Sequence, residues 1–307
     1  MKFKRIVLAG GNGYLGRILA HHYKEKAEEI IVLSRSAKPE HDNVSTIVWD
    51  AKTRGEWVNF IDGADMLVNL CGKNVNCRYT EKNRREIFAS RLVPTKLLGE
   101  VIASVQHPPK VWINITSATI YRHAEDRPQD EHTGEIGNGF SVEVCKQWEQ
   151  TFFDCDTPHT RKVALRTSFV LGISDSAFPR LVNLAKFGLG GRQGNGLQYV
   201  SWIHEQDVAR ITEWVTDHDI KGAFNCTAPR PIKNSDFMKL IRKAYRMPFG
   251  LPMPEWLFKI AAFIIRTEPE LVLKSRWVLP TRLLENGFQF SFAEPQMAVN
   301  NLVFSTK

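Results

Sequence analysis

The stretch Val7–Leu19, VLAGGNGYLGRIL, constrains this chain more than any other. An apolar run enters three glycines, Gly10, Gly13 and Gly16, and a helical pattern follows. That order reads as strand, tight turn, helix. Gly10 suits the turn, Gly13 lets backbone N–H groups approach a pyrophosphate, and Gly16 lets the helix pack closely. The helix N-terminus favours the negative charge of the phosphates. The loop points to a dinucleotide site; the bland alternative is a glycine-rich turn with no ligand.

The end of the next apolar run selects between dinucleotides. An NAD site places Asp or Glu there for the ribose 2′-hydroxyl. Here the segment is VLSRSAKP, with Ser34, Arg35, Ser36 and Lys38 and no carboxylate. A guanidinium suits an extra 2′-phosphate through paired hydrogen bonds, so NADP(H) is the expected cofactor. A solvent-facing Arg35 would leave that choice open.

Short apolar runs alternate with helical patterns through the first half. RIVLAG, EIIVLSR, STIVWD, DMLVNLCG, KVWINITS and KVALRTSFVLG read as strands; GRILAHHYKEK and EKNRREIFASRLVPTKLLGEVIASV read as helices. Such alternation implies an α/β fold, a Rossmann-type doubly wound parallel sheet buried on both faces. After Gly172 the rhythm changes. KFGLGGRQGNG, Lys186–Gly196, cannot be regular structure. QYVSWIH then reads as a strand, EQDVARITEWVTDH as a helix, and KNSDFMKLIRKAY as a helix capped by Asn or Ser. The expected division is a nucleotide-binding domain over residues 1–172 and a smaller mixed α+β substrate domain over 173–307. The chain is expected to re-enter the first around 197–220.

The net charge of +8 sits mostly in Lys221–Lys307, where 13 Lys plus Arg face 6 Asp plus Glu. A basic face attracts nucleic acid, a membrane surface or a phosphorylated small molecule, and the bland alternative is a solvated surface; a small anionic molecule is the expected partner. Aromatic–basic interleaving is missing, so nucleic acid is not expected. No apolar run reaches the roughly 18 residues of a membrane span. LFKIAAFIIR, Leu257–Arg266, comes nearest. Five scattered cysteines without C-x-x-C suggest neither a disulfide framework nor a metal site, and fit the cytoplasm. A monomer or homodimer is expected.

Three further segments carry a more specific likeness: NLCGKNVNCRYTEKNRREIFASRLVPTKLL, GLGGRQGNGLQYVSWIHEQDVARI and RWVLPTRLLENGFQFSF. With the glycine loop they resemble the atypical branch of the extended short-chain dehydrogenase/reductases. That branch is the nucleoside-diphosphate-sugar-epimerase-like family with a C-terminal domain of unknown function. The resemblance spans nearly the whole chain. It implies chemistry by a Ser or Thr, a Tyr, and a Lys four residues after the Tyr. The Tyr moves the proton, the Lys holds the ribose and lowers the Tyr pKa, and the Ser orients the substrate oxygen. ITSATIY matches the segment that carries the Ser, with Ser117 in its place. FSVEVCKQWE matches the helix that carries the pair, but puts Ser141 at the Tyr place and Cys145 at the Lys place, with Lys146 one residue late. No tyrosine of the six has Lys four residues later.

The expected cofactor set is Gly10, Asn12, Gly13, Tyr14, Leu15, Gly16, Ser34, Arg35, Asp50, Leu70, Gly72 and Ser117. Ser117 is also the first catalytic candidate. Tyr121 reads either as a displaced acid/base or as a packed aromatic. Arg78, Tyr79 and Arg192 are candidate substrate contacts: Arg78 for an anionic group, Arg192 from a flexible lid. His204 reads as a proton carrier or a local hydrogen bonder beside a helix-pinning Asp207, and Cys145 as a reactive thiol or a buried filler. Two functions remain: an NADP(H)-dependent oxidoreductase or epimerase-like enzyme on a small anionic substrate, with a nucleotide sugar as one candidate, or a non-catalytic NADP(H)-binding sensor or scaffold.

Overall fold

The computed structural model describes residues 2–37, 39, 41–174, 176–264 and 268–304. Lys38 and Arg266 lie outside them. The strands are β1 (Phe3–Ala9), β2 (Ala27–Ser34), β3 (Val44–Val48), β4 (Met66–Asn69), β5 (Val111–Ser117), β6 (Arg161–Thr167), β7 (Phe169–Leu171), β8 (Tyr199–Val200), β9 (Trp202–His204), β10 (Gly222–Cys226) and β11 (Ile232–Lys233). Seven of them form one parallel sheet in the order β3-β2-β1-β4-β5-β6-β10. The order reverses between β1 and β4, and a doubly wound Rossmann sheet opens its ligand crevice at that switch point, outside the carboxyl ends of the strands.

Each strand feeds two cores, which is why its sequence is continuously apolar. On β1, Ile6 and Leu8 face one core, shared with Leu19 of the helix Tyr14–Tyr23 and Val208 and Ile211 of the helix Glu205–Asp217. Val7 and Ala9 face the other, shared with Leu97 and Leu98 of the helix Glu81–Ile102 and Phe152 of the helix Phe140–Asp154. A third core gathers Leu171, Phe178, Trp202, Phe237 and Leu302. It belongs to the C-terminal part, around the helices Phe178–Lys186, Asn234–Ala244 and Pro295–Phe304.

Four local features differ from the sequence expectations. QYVSWIH is two strands split at Ser201: β8 pairs with β11 and β9 with β7. KVALRTSFVLG is two strands: the chain breaks at Ser168, and β7 leaves the main sheet to pair with β9. The seventh strand, β10, was absent from the expected runs, and it pairs with β6. The helix Asn234–Ala244 has no side-chain cap. Asn234 instead accepts a hydrogen bond from Gln193 N at 2.8 Å and so holds the glycine-rich segment.

A buried ionic network ties the layers together. Arg166 on β6 grips Glu149 of the helix Phe140–Asp154 through Nε at 2.9 Å and Nη2 at 2.7 Å. Its Nη1 donates to the Tyr121 hydroxyl at 2.8 Å, which donates to Asn225 on β10 at 3.0 Å. Thr116 on β5 donates to Glu149 at 3.1 Å. Burial works against the Arg166 charge, but the bonds and charge of Glu149 outweigh it and raise the guanidinium pKa. Removing one partner of a buried pair strands the other, so Glu149→Ala should cost about 3–5 kcal/mol in urea unfolding. A loss under about 1 kcal/mol would show that the pair is solvated.

His204 caps the helix Glu205–Asp217, its Nδ1 accepting from Gln206 N at 3.2 Å, and its ring stacks on Phe292 at 3.8 Å. Asp207 is no cap. It receives the amides of Ser291 at 3.0 Å and Phe292 at 2.9 Å, pinning the C-terminal chain. Burial lowers the His204 pKa to about 4 from 6.5, against the opposing pull of Asp207 and Asn301. Protonation therefore favours the unfolded chain: stability is full above pH 6.5 and falls as pH drops toward 4. At 1.36 kcal/mol per pKa unit the loss reaches roughly 3 kcal/mol. Urea midpoints of wild type and His204→Gln compared across this range should show a steeper acid decline in wild type. Parallel declines would exclude His204 as the cause.

Candidate cofactor and substrate site

The glycine loop bends out of β1 and lies against the end of β4. Gly10 has φ +76, and a Cβ there would sit 3.0 Å from Cys71 Sγ and 3.1 Å from Cys71 N. Only glycine takes both that conformation and that contact readily. A Cβ on Gly16 would lie 2.0 Å from Gly11 O, so this glycine lets the helix close onto the loop itself. Gly11, outside the expected spacing, is equally constrained: its Cβ would meet Leu8 Cβ at 2.8 Å. At Gly13 a Cβ would meet only Gly10 O, at 3.8 Å. The helix it opens has no side-chain cap, so its first amides are not taken up by a capping side chain.

The end of β2 adjoins this loop. Asn12 donates to the Ser34 hydroxyl, and to Ser36 O at 3.3 Å. Arg35 is exposed. No carboxylate stands among them, and Asp50 lies beyond β3. Asp50 is committed to its own turn, accepting the amides of Lys52 and Thr53, both at 2.8 Å. Leu70 N bonds Ala9 O at 2.8 Å, and Leu15 packs on the core. The Tyr14 side chain turns away from the loop and donates to Glu205, with its hydroxyl over Gly172. Burial raises the pKa of both Tyr14 and Glu205. Gly72 makes room for a neighbour: a Cβ there would come within 3.2 Å of the Arg91 guanidinium.

Beyond the carboxyl end of β5 is a cavity of about 100 Å³ whose walls include Ser117, Tyr79, Ser141, Cys145 and Arg91. Ser117 Oγ donates to Thr119 Oγ1 at 2.9 Å and accepts Thr119 N at 3.2 Å. Ser141 and Cys145, one turn apart on the helix Phe140–Asp154, both reach it. The Tyr79 hydroxyl stands 3.3 Å from Ser141 Oγ, and Ser141 donates to Glu270. The Tyr79 ring rests on Phe140 at 4.7 Å, and burial raises its phenol pKa. Burial pushes the Cys145 thiol up to about 12, which makes it a neutral filler.

Tyr121 is the residue the structure removes from the chemistry. It is 2% exposed, its hydroxyl is held by Arg166 and Asn225, and it is not among the residues lining the cavity. Tyr79, considered as a substrate contact, is the phenol that meets Ser141 in the cavity wall. Arg78 lies 3.7 Å from Glu268, whose other bond is Tyr79 N at 2.8 Å. Arg192 does not ride a free lid: its carbonyl receives Met253 N at 2.9 Å, and Gly191 and Gly194 bond Leu251 and Met253.

Comparison with known proteins accords with this geometry. Residues 6–227 match the NAD dependent epimerase/dehydratase family, and residues 253–302 match a domain of unknown function (DUF1731). The epimerase family protein YfhF of Bacillus subtilis is 27% identical over 98% of this chain and 99% of its own length. The crystal structure of the human epimerase family protein SDR39U1 (isoform 2) with NADPH superposes with a TM-score of 0.86 at 28% identity, covering 98% of this chain and 99% of that one. A nucleoside-diphosphate sugar epimerase structure from Corynebacterium glutamicum gives 0.77 at 26% identity, covering 98% of this chain and 58% of that one. With a family match over well more than half its length, the chain belongs to the NAD dependent epimerase/dehydratase family.

Proposed function

We propose that this chain is an NADP(H)-dependent oxidoreductase or epimerase-like enzyme. It would act on a small anionic substrate without the usual Tyr-x-x-x-Lys pair. The observation that carries the reading is the meeting of Ser117, Ser141 and Tyr79 in one cavity at the carboxyl end of the sheet. The loop residues fit the cofactor. The space over Gly13, which a β-branched side chain would fill, admits a pyrophosphate, and the uncapped helix start favours its charge. Exposed Arg35, with Asn12, Ser34 and Ser36 beside it, suits a 2′-phosphate. The human relative solved with NADPH supports the same choice. NADPH, when bound, supplies a hydride.

The chain's own residues would do the rest. Ser117 orients the substrate oxygen. Tyr79, kept protonated by burial, gives that oxygen its proton, and Ser141 and Glu270 form the path of resupply behind it. The five cysteines, all free, support a reducing cytoplasmic setting. One observation favours the alternative of a cofactor-binding sensor. The Lys place holds the uncharged Cys145 thiol, so nothing there lowers a phenol pKa.

Two measurements decide. NADPH should bind at least about tenfold tighter than NADH, roughly 1.4 kcal/mol, and Arg35→Ala should erase the difference in calorimetry. Equal affinities in the wild type would remove the cofactor assignment. NADPH oxidation is then followed across aldehydes, quinones and nucleotide sugars. On any active compound, Ser117→Ala and Tyr79→Phe should each slow turnover about 10- to 1,000-fold while leaving NADPH affinity intact. If NADPH stays unoxidised across the panel, the sensor reading replaces the enzyme.

A further inference from the structure

The cavity beside Ser117 has one cation, Arg91, in its wall and a second, Arg276, within electrostatic reach of two lining residues. Arg91, in its wall, bonds only carbonyls among the described residues: Nη1 to Ile87 O at 3.1 Å and Nη2 to Lys73 O at 3.2 Å. Its guanidinium lies over Trp148 at 5.1 Å. Arg276 approaches from the C-terminal segment, where Tyr199 O receives its amide at 2.8 Å and Ser201 donates to its carbonyl at 2.7 Å. Its Nη1 is buried with no hydrogen-bond partner among the described residues. The titratable neighbours that act on Arg276 are Glu270, Cys145 and Tyr79, and the last two, both neutral, line the cavity. Lys274, half-buried two residues earlier, feels Arg276, Glu270 and Cys145.

Two carboxylates stand near these three cations. Glu268 is occupied by Arg78 and by Tyr79 N. Glu270 accepts the Ser141 hydroxyl and is the one acid that acts on both Arg276 and Lys274. A buried guanidinium nitrogen without an acceptor costs free energy that a ligand oxygen would restore. Burial lowers the pKa of Arg91, Arg276 and Lys274 alike, as expected of cations lacking full compensation.

We propose that this cavity is an oxyanion site in which Arg276 and Arg91 hold a carboxylate or phosphate of the substrate beside Ser117 and Tyr79. The inference rests on the enzyme reading above and narrows its substrate class. A compact carbonyl acid or a small phosphorylated carbonyl compound suits a cavity of about 100 Å³ with Arg91 in its wall. The anionic group would also fix the orientation of the reacting oxygen toward Ser117, since a charge-assisted pair is directional.

The test uses the full chain saturated with NADPH, at low salt, with oxalate and inorganic phosphate as probes and oxamide as the neutral isostere of oxalate. Calorimetry should show one of the anions binding at least about tenfold tighter than oxamide, the margin expected of a charge-assisted pair. Which anion binds identifies carboxylate or phosphate. Arg276→Met and Arg91→Met should each weaken that anion about tenfold or more and leave NADPH affinity unchanged. If neither anion outbinds oxamide in the wild type, the proposal is overturned, whatever the variants do to folding. If both variants bind the anion as wild type does, the site lies elsewhere and the proposal likewise fails. NADPH affinity is titrated separately by its fluorescence. Without NADPH binding, the anion series is run on the protein alone, so loss of the cofactor reading and loss of the oxyanion site are distinguished.

Discussion

The Arg166–Glu149 pair is the contact on which the rest of the site depends. Glu149 lies eight residues after Ser141 and four after Cys145, just over two turns and one turn of helix. Clamping Glu149 to β6 therefore sets the angle and height at which Ser141 and Cys145 meet the cavity. The same guanidinium holds Tyr121, through it Asn225 on β10, and Glu149 in turn holds Thr116 next to Ser117. One buried ion pair thus aligns β5, β6, β10 and the helix whose first turns border the chemistry. Such a pair adds little net stability over a well-packed apolar substitute, but it admits only one register.

Much of this was legible in the chain. The first six strands were readable because each carries a run of apolar residues that feeds the cores on both faces of the sheet, and the glycine loop because its constraints are local. The elements that escaped are those whose form depends on distant partners. β10, GAFNC, begins with a glycine at φ +93 and carries a buried asparagine. Neither marks a strand until β6 is there to pair with it. The break at Ser168 follows from β9 drawing β7 aside. Asn234 looks like a cap and is spent on Gln193; His204 looks catalytic and is the cap. Which tyrosine meets Ser141 could not be read from spacing, since Tyr79 arrives from a loop 62 residues earlier.

The basic C-terminal third illustrates how net charge misleads when read as surface. Arg282 spends its guanidinium on the carbonyls of Ala223, at 2.6 Å, and Lys221, at 3.0 Å, and lies over Phe224 at 3.9 Å. The Arg276 Nη1 is buried, and Arg230 pairs with Glu294 at 2.7 Å. Several of these charges are spent inside the fold or on a carboxylate, so the excess does not describe a uniform basic exterior open to a polyanion. A cation that satisfies main-chain carbonyls needs no acidic neighbour, and it inflates the formal count without advertising a partner.

The placement of β10 decides what kind of object the C-terminal part is. The chain leaves the sheet after β6, builds β7, β8, β9 and the helices Phe178–Lys186 and Glu205–Asp217, and returns to cover the open hydrogen-bonding edge of β6. The cap is made of two pieces, one inserted between these neighbouring strands and one that follows β10, and both share the third core. A polypeptide cut after residue 172 would expose the β6 backbone as a template for other chains, and it would lack Asn225, the far anchor of the Tyr121 hydroxyl. The inserted piece and the sheet are thereby tied to one another, since exchanging residues 173–226 would take a strand out of the sheet, whereas the piece after β10 can vary without that cost.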